Sequence, residues 1–316
     1  MKIAFHLNNQ RLKHTSSDFY LINSIFKAGH EVFFFYDSIS QTKTGVFAYL
    51  QKILSININN RNQVVINATD PKIVGLEEMD ILFIRKDPPF DMSYITYTYM
   101  LDSLSKSTLV LNSPAALRNY SEKLSIFNFQ QHMIDTIVTQ EISMIEKFVK
   151  IHHKCIIKPL YSCAGEDIFI LETSDTNMKA IIELMINKYK QPVMVQKYIE
   201  DIDKHGDKRI ILVDGKAIGC FSRLKTKSAA SNMAAGGKIV KSSITYSDEK
   251  IINDITPFLI RNNIFFAGID IIGSYLTEIN ITSPTGLHQI DTLNNTNNSS
   301  YIVNAIESIY QRHKNN

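Results

Sequence analysis

GIDIIGSYLTEINITSP, residues 268–284, sets two short apolar runs on either side of Gly273-Ser274 and plants Asp270, Glu278 and Asn280 within them. Runs of this length with a two-residue break read as a β-hairpin. Side chains leave alternate faces of a strand, so Glu278 and Asn280 share a face and the hairpin brings Asp270 opposite them. Three oxygen donors on one face match the way Mg²⁺ is held beside a nucleotide, because the ion takes six oxygens at about 2.0–2.1 Å and keeps several as water. A solvated sheet face bearing charges fits the same spacing.

Immediately upstream, RIILVDG (209–215) and KAIGCFSRL (216–224) form a meander whose strands carry Arg209 and Arg223. Paired guanidinium forks suit a transferring phosphoryl group, although singly each reads as a surface ion-pair residue. KTKSAASNMAAGGK (225–238) follows, poor in large apolar residues and without periodicity. Loops of that length are mobile covers over a site or disordered. A helix at 248–262 leads into the hairpin, and a last helix starts near Ser300.

Further upstream the pattern is helix (121–133), strand KCIIKPL (154–160), strand DIFIL (167–171), helix (177–189) and strand PVMVQKYI (192–199), a small α+β unit. Lys158 stands among Ile156, Ile157 and Leu160, where an ammonium needs a partner at the strand edge, such as a nucleotide phosphate, or must snorkel to water. Lys123 opens the preceding helix. The loop Ser162-Cys163-Ala164-Gly165 can offer backbone N–H groups to phosphate oxygens. Lys197 to Ile199, at a strand end, exposes backbone to an adenine edge, as any linker there would.

The first 115 or so residues alternate strand and helix: KIAFHL (2–7), a helix at 17–27, EVFFFY (31–36), DILFIR (80–85) and TLVLN (108–112). Such alternation gives an open, mostly parallel α/β sheet whose ligands lie beyond the carboxyl ends of the strands, where Arg85 and Asn112 stand. No GxGxxG follows the first strand, which argues against a dinucleotide site.

Composition sets the outer bounds. A chain of 316 residues makes one large or two to three modest domains, and 44% hydrophobic with 21% charged residues is a packed globular protein. A net charge of +3, evenly spread, is no dedicated nucleic-acid binder. Nowhere are there the roughly 20 uninterrupted apolar residues of a membrane span, and the N-terminus turns polar too early for a signal peptide, so no membrane partner and a cytoplasmic location are expected. Cys155, Cys163 and Cys220 are widely spaced and read as free thiols. The histidines show no metal-binding spacing, and His288 reads as structural.

Taken together, IRKDPPFD (84–91), VLNSPAALRNYSEKL (110–124), IIKPL (156–160), HGDKRIILVDG (205–215), SNMAAGGK (231–238) and FFAGIDIIGSYLTEINITSPTG (265–286) resemble the bacterial glutathione synthetases of the ATP-grasp superfamily, in family order. The resemblance implies an α/β protein with an N-terminal open Rossmann-like (pre-ATP-grasp) sheet over 1–120, followed by a two-lobed α+β ATP-grasp domain: a small lid subdomain over 121–198 and a large subdomain with the metal site over 199–316. It implies an ATP-dependent ligase joining γ-glutamylcysteine and glycine through an acyl phosphate, with release of ADP and phosphate. ATP is the co-substrate and two Mg²⁺ ions, replaceable by Mn²⁺, the cofactor; the partners are small molecules and further copies of the chain.

Carried onto this chain, Lys123 and Lys158 hold the nucleotide phosphates, with Ser162 and Gly165 beside them. Lys197 and Ile199 hold the adenine through backbone atoms. Asp270, Glu278 and Asn280 bind metal, and Arg209 and Arg223 stabilise the phosphoryl group in flight. Arg85, Ser283 and Thr285 hold the peptide substrate, with Asp207, Asn232, Gly236 and Gly237 nearby. One departure stands out. Where the family pattern has a glycine-dense, acid-containing loop, this chain has Tyr161-Ser162-Cys163-Ala164-Gly165, and added Cβ atoms stiffen such a loop. The alternatives are an ATP-grasp ligase for another peptide or amino-acid pair, and a non-catalytic nucleotide-binding homologue.

Overall fold

The computed structural model describes residues 1–8, 12–162, 165–224 and 238–315. Asn232, Gly236, Gly237 and the cover expected around them lie outside the described residues, apart from Lys238, as do Cys163 and Ala164 of the phosphate loop. Three sheets succeed one another along the chain.

The first has four parallel strands at its centre, in the order Glu31–Phe35, Lys2–Leu7, Ile81–Arg85, Leu109–Leu111. They are continuous apolar runs because both faces are covered. Ile3 and Phe5 pack with Leu21, Ile22 and Ile25 of the helix Ser17–Lys27 and with Ile302 of the helix Ser299–Lys314, whereas Ala4, Leu82 and Ile84 belong to the cluster holding Tyr94 and Leu101 of the helix Met92–Asp102. Ser16 caps the first of these helices, accepting from Phe19 N, and Lys27 ends it against the negative end of the dipole. The sequence reading had no strands between 37 and 79. In the structure the long strand Gly45–Ile58 pairs antiparallel with Ile39–Thr42, Val64–Ala68, Lys72–Gly75 and Glu31–Phe35, extending the sheet to eight strands. Tyr49, Leu54 and Ile73 are exposed there, so apolar residues occupy both faces and blur the alternation by which a half-buried strand is recognised.

The second sheet runs Phe169–Glu172, Lys154–Pro159, Val193–Lys197, Thr136–Thr139, all antiparallel. Its helices Ile142–His152 and Met178–Tyr189 build a separate core with Cys155, Ile157, Val193 and Val195. Alternation then turns Lys158 to the opposite face. The helix expected over 121–133 is instead a 3-10 stretch, Leu124–His132, interrupted at Phe129 (φ −132°, ψ 52°). Just ahead of it Glu122 O accepts from Ile279 N at 2.9 Å, so this connector is tied along a strand edge and not wound on itself.

The third sheet is the antiparallel meander Lys238–Lys241, Lys216–Leu224, Asp207–Val213, Phe266–Ile272, Tyr275–Asn280. Ile210 and Leu212 face Ile251, Ile255 and Leu259 of the helix Tyr246–Arg261; Ile211 and Val213 face Leu287 and Ile290 of the helix Leu287–Asn294. Both apolar clusters run on into the first sheet.

A buried amide stitches that junction. Asn112 Nδ2 donates to Phe266 O (2.7 Å) and Ile281 O (2.6 Å), and Phe266 N donates to Asn112 Oδ1 (2.8 Å). This residue at a parallel-strand end is therefore a seam between sheets. Asn112→Ala leaves three buried backbone groups without partners and is expected to cost about 3 kcal/mol in urea unfolding; a loss below about 1 kcal/mol would show that the seam is held elsewhere.

Candidate active site

Register assembles the site. Asp207 pairs with Arg223, Arg209 with Asp270, Asp270 with Glu278 and Gly268 with Asn280, so these side chains share one face of the third sheet. The hairpin Phe266–Ile272/Tyr275–Asn280 turns at Gly273, whose φ of 61° a side chain would disfavour. The strand that carries Asp207 and Arg209 starts from Gly206, φ 69°, where a Cβ would lie 2.3 Å from Arg223 O. Only glycine lets these two backbones approach so closely.

Asp270 is the hub. Arg209 grips it bidentately, through Nε to Oδ1 and through Nη2 to Oδ2 at 2.7 Å. Arg223 Nη2 lies 3.0 Å from Oδ2 and donates to Asp207 Oδ1 and Oδ2 at 2.5 and 2.7 Å. Burial by itself would raise the Asp270 pKa, but Arg209 and Arg223 outweigh it and hold the carboxyl well below the usual range. Burial pushes Asp207 the other way, upward, with Arg223 pulling against it and the charge of Asp270 adding to the rise.

Glu278 is the second hub. Lys123 Nζ and Lys158 Nζ each lie 3.6 Å from its Oε1, and Lys123 also donates to Ser162 O at 2.8 Å. Burial opposes the charge on Glu278, but Lys123 and then Lys158 prevail and its pKa is lowered. The pKa of Lys158 is lowered by burial, which Glu278 resists. Among the described residues, four cationic side chains thus converge on Asp207, Asp270 and Glu278, with the buried Glu122 carboxyl beside Lys123 and Glu278. Such a gathering of cations is what an anionic ligand would meet.

Asp270, Glu278 and Asn280 come together as the hairpin reading expected. Asn280 Nδ2 donates to Gly268 O (3.2 Å) and Asp270 Oδ2 (3.1 Å), so both amide hydrogens are committed and its oxygen is the atom left to bind. Two carboxylates and an amide oxygen form a hard, all-oxygen donor set, and these residues fit a divalent cation of the Mg²⁺ type.

Arg85 is almost fully buried. Its Nε donates to Asp18 Oδ1 (2.7 Å), Nη2 donates to Pro284 O (3.0 Å), and the guanidinium lies 5.2 Å from the Phe266 ring centroid. It therefore meets the segment that carries Ser283 and Thr285. Ser283 Oγ donates to Asp87 Oδ1, and Thr285 O accepts from Arg209 Nη1 at 3.4 Å. Gly165 has φ 72°, and Ser162 Oγ donates to Glu166 O at 3.4 Å. Lys197 N donates to Asp135 O, which commits that amide hydrogen, and Ile199 O already accepts from Ile202 N.

Sequence reasoning assigned no role to Glu122 or Asp87. Glu122 Oε1 accepts from Ile281 N (3.0 Å), Thr282 N (3.1 Å) and Thr282 Oγ1 (2.8 Å), clamping the segment after the hairpin. Asp87 accepts from Asn8 Nδ2 at 2.5 Å as well as from Ser283, and burial raises its pKa. The acid inside RKDPPFD was the available signal for Asp87; nothing local marks Glu122.

Residues 1–118 match the family model described as "Prokaryotic glutathione synthetase, N-terminal domain", and residues 122–295 match "Prokaryotic glutathione synthetase, ATP-grasp domain". The glutathione synthetase of Mesorhizobium japonicum is 35% identical over 283 residues, 89% of each chain; that of Nostoc sp. (strain PCC 7120) is 40% identical over 239 residues, 75% of this chain and 74% of the other. Among solved structures, D-cycloserine synthetase DcsG superposes with TM-score 0.64 at 10% identity, over 99% of this chain and 100% of that one. D-alanyl-alanine synthetase A from Vibrio cholerae gives 0.60 at 12%, over 99% of each. At such identities these two share the fold.

Two substitutions separate the hubs. Asp270→Ala takes the carboxylate partner from the buried Arg209 and leaves Arg223 with Asp207 alone, and is expected to cost about 3–5 kcal/mol in urea unfolding of the ligand-free chain. Lys158→Met replaces a poorly satisfied buried ammonium by an apolar chain of similar length and is expected to change stability by less than about 1 kcal/mol, or to raise it. Equal losses in the two variants would contradict this division.

Proposed function

The chain belongs to the prokaryotic glutathione synthetase family, and from that premise we propose how its cleft divides the work of ligation among its residues. It is an ATP-dependent, peptide-bond-forming ligase that makes glutathione from γ-glutamylcysteine and glycine, and it uses a divalent metal. The observation that carries the residue assignments is the convergence of Arg209, Arg223, Lys123 and Lys158 on the Asp270 and Glu278 carboxylates.

A carboxylate is a poor electrophile because an oxide is a bad leaving group. When the cysteinyl carboxylate attacks the γ-phosphorus of ATP, negative charge accumulates on the equatorial oxygens, and positioned cations are nearly all a protein can contribute. Lys123 and Lys158, which converge on Glu278, are the ammonium groups assigned to the phosphate chain. Arg209 and Arg223 present planar forks that exchange part of their hold on Asp270 for the moving phosphoryl group, then steady the acyl phosphate. Glycine's amine attacks that acyl phosphate through a tetrahedral oxyanion, which the same guanidinium groups stabilise. Asp207 keeps Arg223 oriented throughout.

Asp270, Glu278 and the Asn280 oxygen are the proposed ligands of Mg²⁺, taken as two ions; bound there, the cation supplies charge that neutralises the triphosphate oxygens. For the adenine edge, the proposed contacts are the remaining halves of the two peptides, Lys197 C=O and Ile199 N–H. Arg85, Ser283 and Thr285 are the proposed donor-side contacts. The proposed domain limits are 1–120, 121–198 and 199–316, with the cytosol as compartment and a homo-oligomer as assembly. Among the described residues no helix is long and apolar enough to cross a membrane.

The decisive assay is phosphate release with ATP and Mg²⁺. Rapid turnover is expected only when γ-glutamylcysteine and glycine are both supplied; equal release with either alone, or better turnover with another dipeptide, overturns the substrate assignment. Arg209→Lys is expected to lower kcat by about 10²–10³-fold, the order of losing one oriented donor at a developing charge. An unchanged kcat would remove Arg209 from the phosphoryl step.

A further inference from the structure

The segment after the hairpin is bound to the start of the helix Ser17–Lys27. Ser17 Oγ accepts from Gly286 N at 2.9 Å and from Leu287 N at 3.3 Å. The next residue, Asp18, accepts from Arg85 Nε at 2.7 Å, and Arg85 Nη2 in turn donates to Pro284 O at 3.0 Å. Asp18 is not needed as the helix cap, because Ser16 already accepts from Phe19 N. The ion pair is lopsided: the Asp18 side chain is 21% exposed and that of Arg85 3%, so nearly all the burial falls on the guanidinium. A guanidinium presents five N–H donors in a fixed fork. Asp18 and Pro284 O occupy the edge made by Nε and Nη2. Among the described residues no bond reaches Nη1, so the edge made by Nη1 and Nη2 is the one still able to grip a carboxylate bidentately. Arg209 likewise spends Nε and Nη2 on a carboxylate, that of Asp270, and its Nη1 reaches Thr285 O. Two buried guanidinium groups therefore hold consecutive carbonyls, Pro284 O and Thr285 O, of one segment.

We propose that Asp18 is a positioning residue for the donor substrate: it holds Arg85 so that the edge made by Nη1 and Nη2 takes the glutamyl α-carboxylate of γ-glutamylcysteine. This deepens the reading of Arg85 as a donor-side contact and rests on it. γ-Glutamylcysteine carries two carboxylates. The cysteinyl one goes to the phosphoryl group beside Arg209. The γ-linkage leaves the other unblocked at the far end of the molecule, where a second guanidinium, anchored one residue away on the same segment, can meet it. Without Asp18 the long Arg85 side chain keeps Pro284 O as its hydrogen-bonded anchor, and the binding edge is presented for only part of the time. Apparent affinity falls by that fraction. A hydrogen bond to a charged group of this kind is worth about 10–10²-fold in such a population.

The test is steady-state ligation by the full chain with γ-glutamylcysteine, with γ-aminobutyrylcysteine, which lacks the α-carboxylate, and with glutarylcysteine, which lacks the α-ammonium. Asp18→Ala is expected to raise the KM for γ-glutamylcysteine about 10–10²-fold, while kcat and the KM values for ATP and glycine stay within about twofold. Asp18→Asn keeps an acceptor for Arg85 Nε and should lose less, about threefold to tenfold; it carries the comparison should Asp18→Ala fail to fold. With γ-aminobutyrylcysteine the wild type and Asp18→Ala should lie within about twofold of each other in KM, because the group that Arg85 holds is absent. With glutarylcysteine the full loss should remain. A loss that persists with γ-aminobutyrylcysteine and vanishes with glutarylcysteine makes Asp18 a direct contact of the ammonium and overturns the proposal. A fall in kcat at unchanged KM, or an equal rise in the KM for ATP, overturns it as well. Should the wild type form no product from γ-glutamylcysteine and glycine, the substrate reading falls and takes the proposal with it; should it form glutathione and Asp18→Ala match it, the proposal alone falls.

Discussion

A carboxylate buried between two guanidinium groups governs the arrangement of this molecule. Asp270 opposes Arg209 across one pair of strands and Glu278 across the next, and like charges placed directly opposite are destabilising unless cations flank them. They are flanked, by Arg209 and Arg223 on one side and by Lys123 and Lys158 on the other. A slip of one residue in the strand Asp207–Val213 would drive Arg209 into the layer of Ile251, Ile255 and Leu259 and turn Ile210 onto the charged face. The apolar layer under the sheet and the ionic layer above it therefore specify the same register. The cations gathered to satisfy the carboxylates are also what an anionic ligand meets on arrival.

How the units hold together follows from where their cores lie. The first and third sheets share two continuous apolar clusters and are sewn by Asn112, Glu122 and Arg85. The second sheet has its own core, with Leu160 and Met194 as its members in the larger cluster. Val138 also packs against that cluster, and among the described residues polar or stacked contacts join the second sheet to the others, including Lys158 to Glu278, Ser162 O to Lys123, and Tyr161 on Phe90. Such contacts break and re-form at far lower cost than a packed core, which makes the second sheet the element able to move against a fixed floor.

The sequence disclosed strands buried on both faces, because largely apolar runs such as 2–7 and 81–85 are short and bounded by turn residues. It also disclosed which residues share the charged face, since a period of two leaves no freedom once the hairpin is placed. What stayed hidden depends on tertiary partners. The 39–75 ribbon leaves apolar side chains on both faces, and the 3-10 connector is stretched by a bond from Ile279 N to Glu122 O that no local pattern records. In the same way Asn112 looked like a ligand-end residue and is a seam, because an amide at a strand end can equally face a ligand or a neighbouring sheet.

The division between reaction and substrate can be read from the same layout. The charged residues proposed for the phosphoryl step lie on regular strands, where cross-strand pairing fixes their register. The donor-side groups sit in the irregular segment after Asn280, held to the first unit through Arg85 to Pro284 O and Ser283 to Asp87. That segment reaches the Asp270 cluster at Thr285 O, which accepts from Arg209 Nη1, and adjoins it at Asn280, whereas Arg223 and Asp207 are held on other strands. A fold so arranged can change its substrates while keeping its phosphoryl machinery, and this is the physical basis on which one architecture serves ligases with different products. The same seam contains Asp87, a partly buried carboxyl that accepts from Ser283 and Asn8. Burial and the charge of Asp18 raise its pKa against the pull of its two hydrogen-bond donors and of Arg85, so the carboxyl gains from any further donor brought to it.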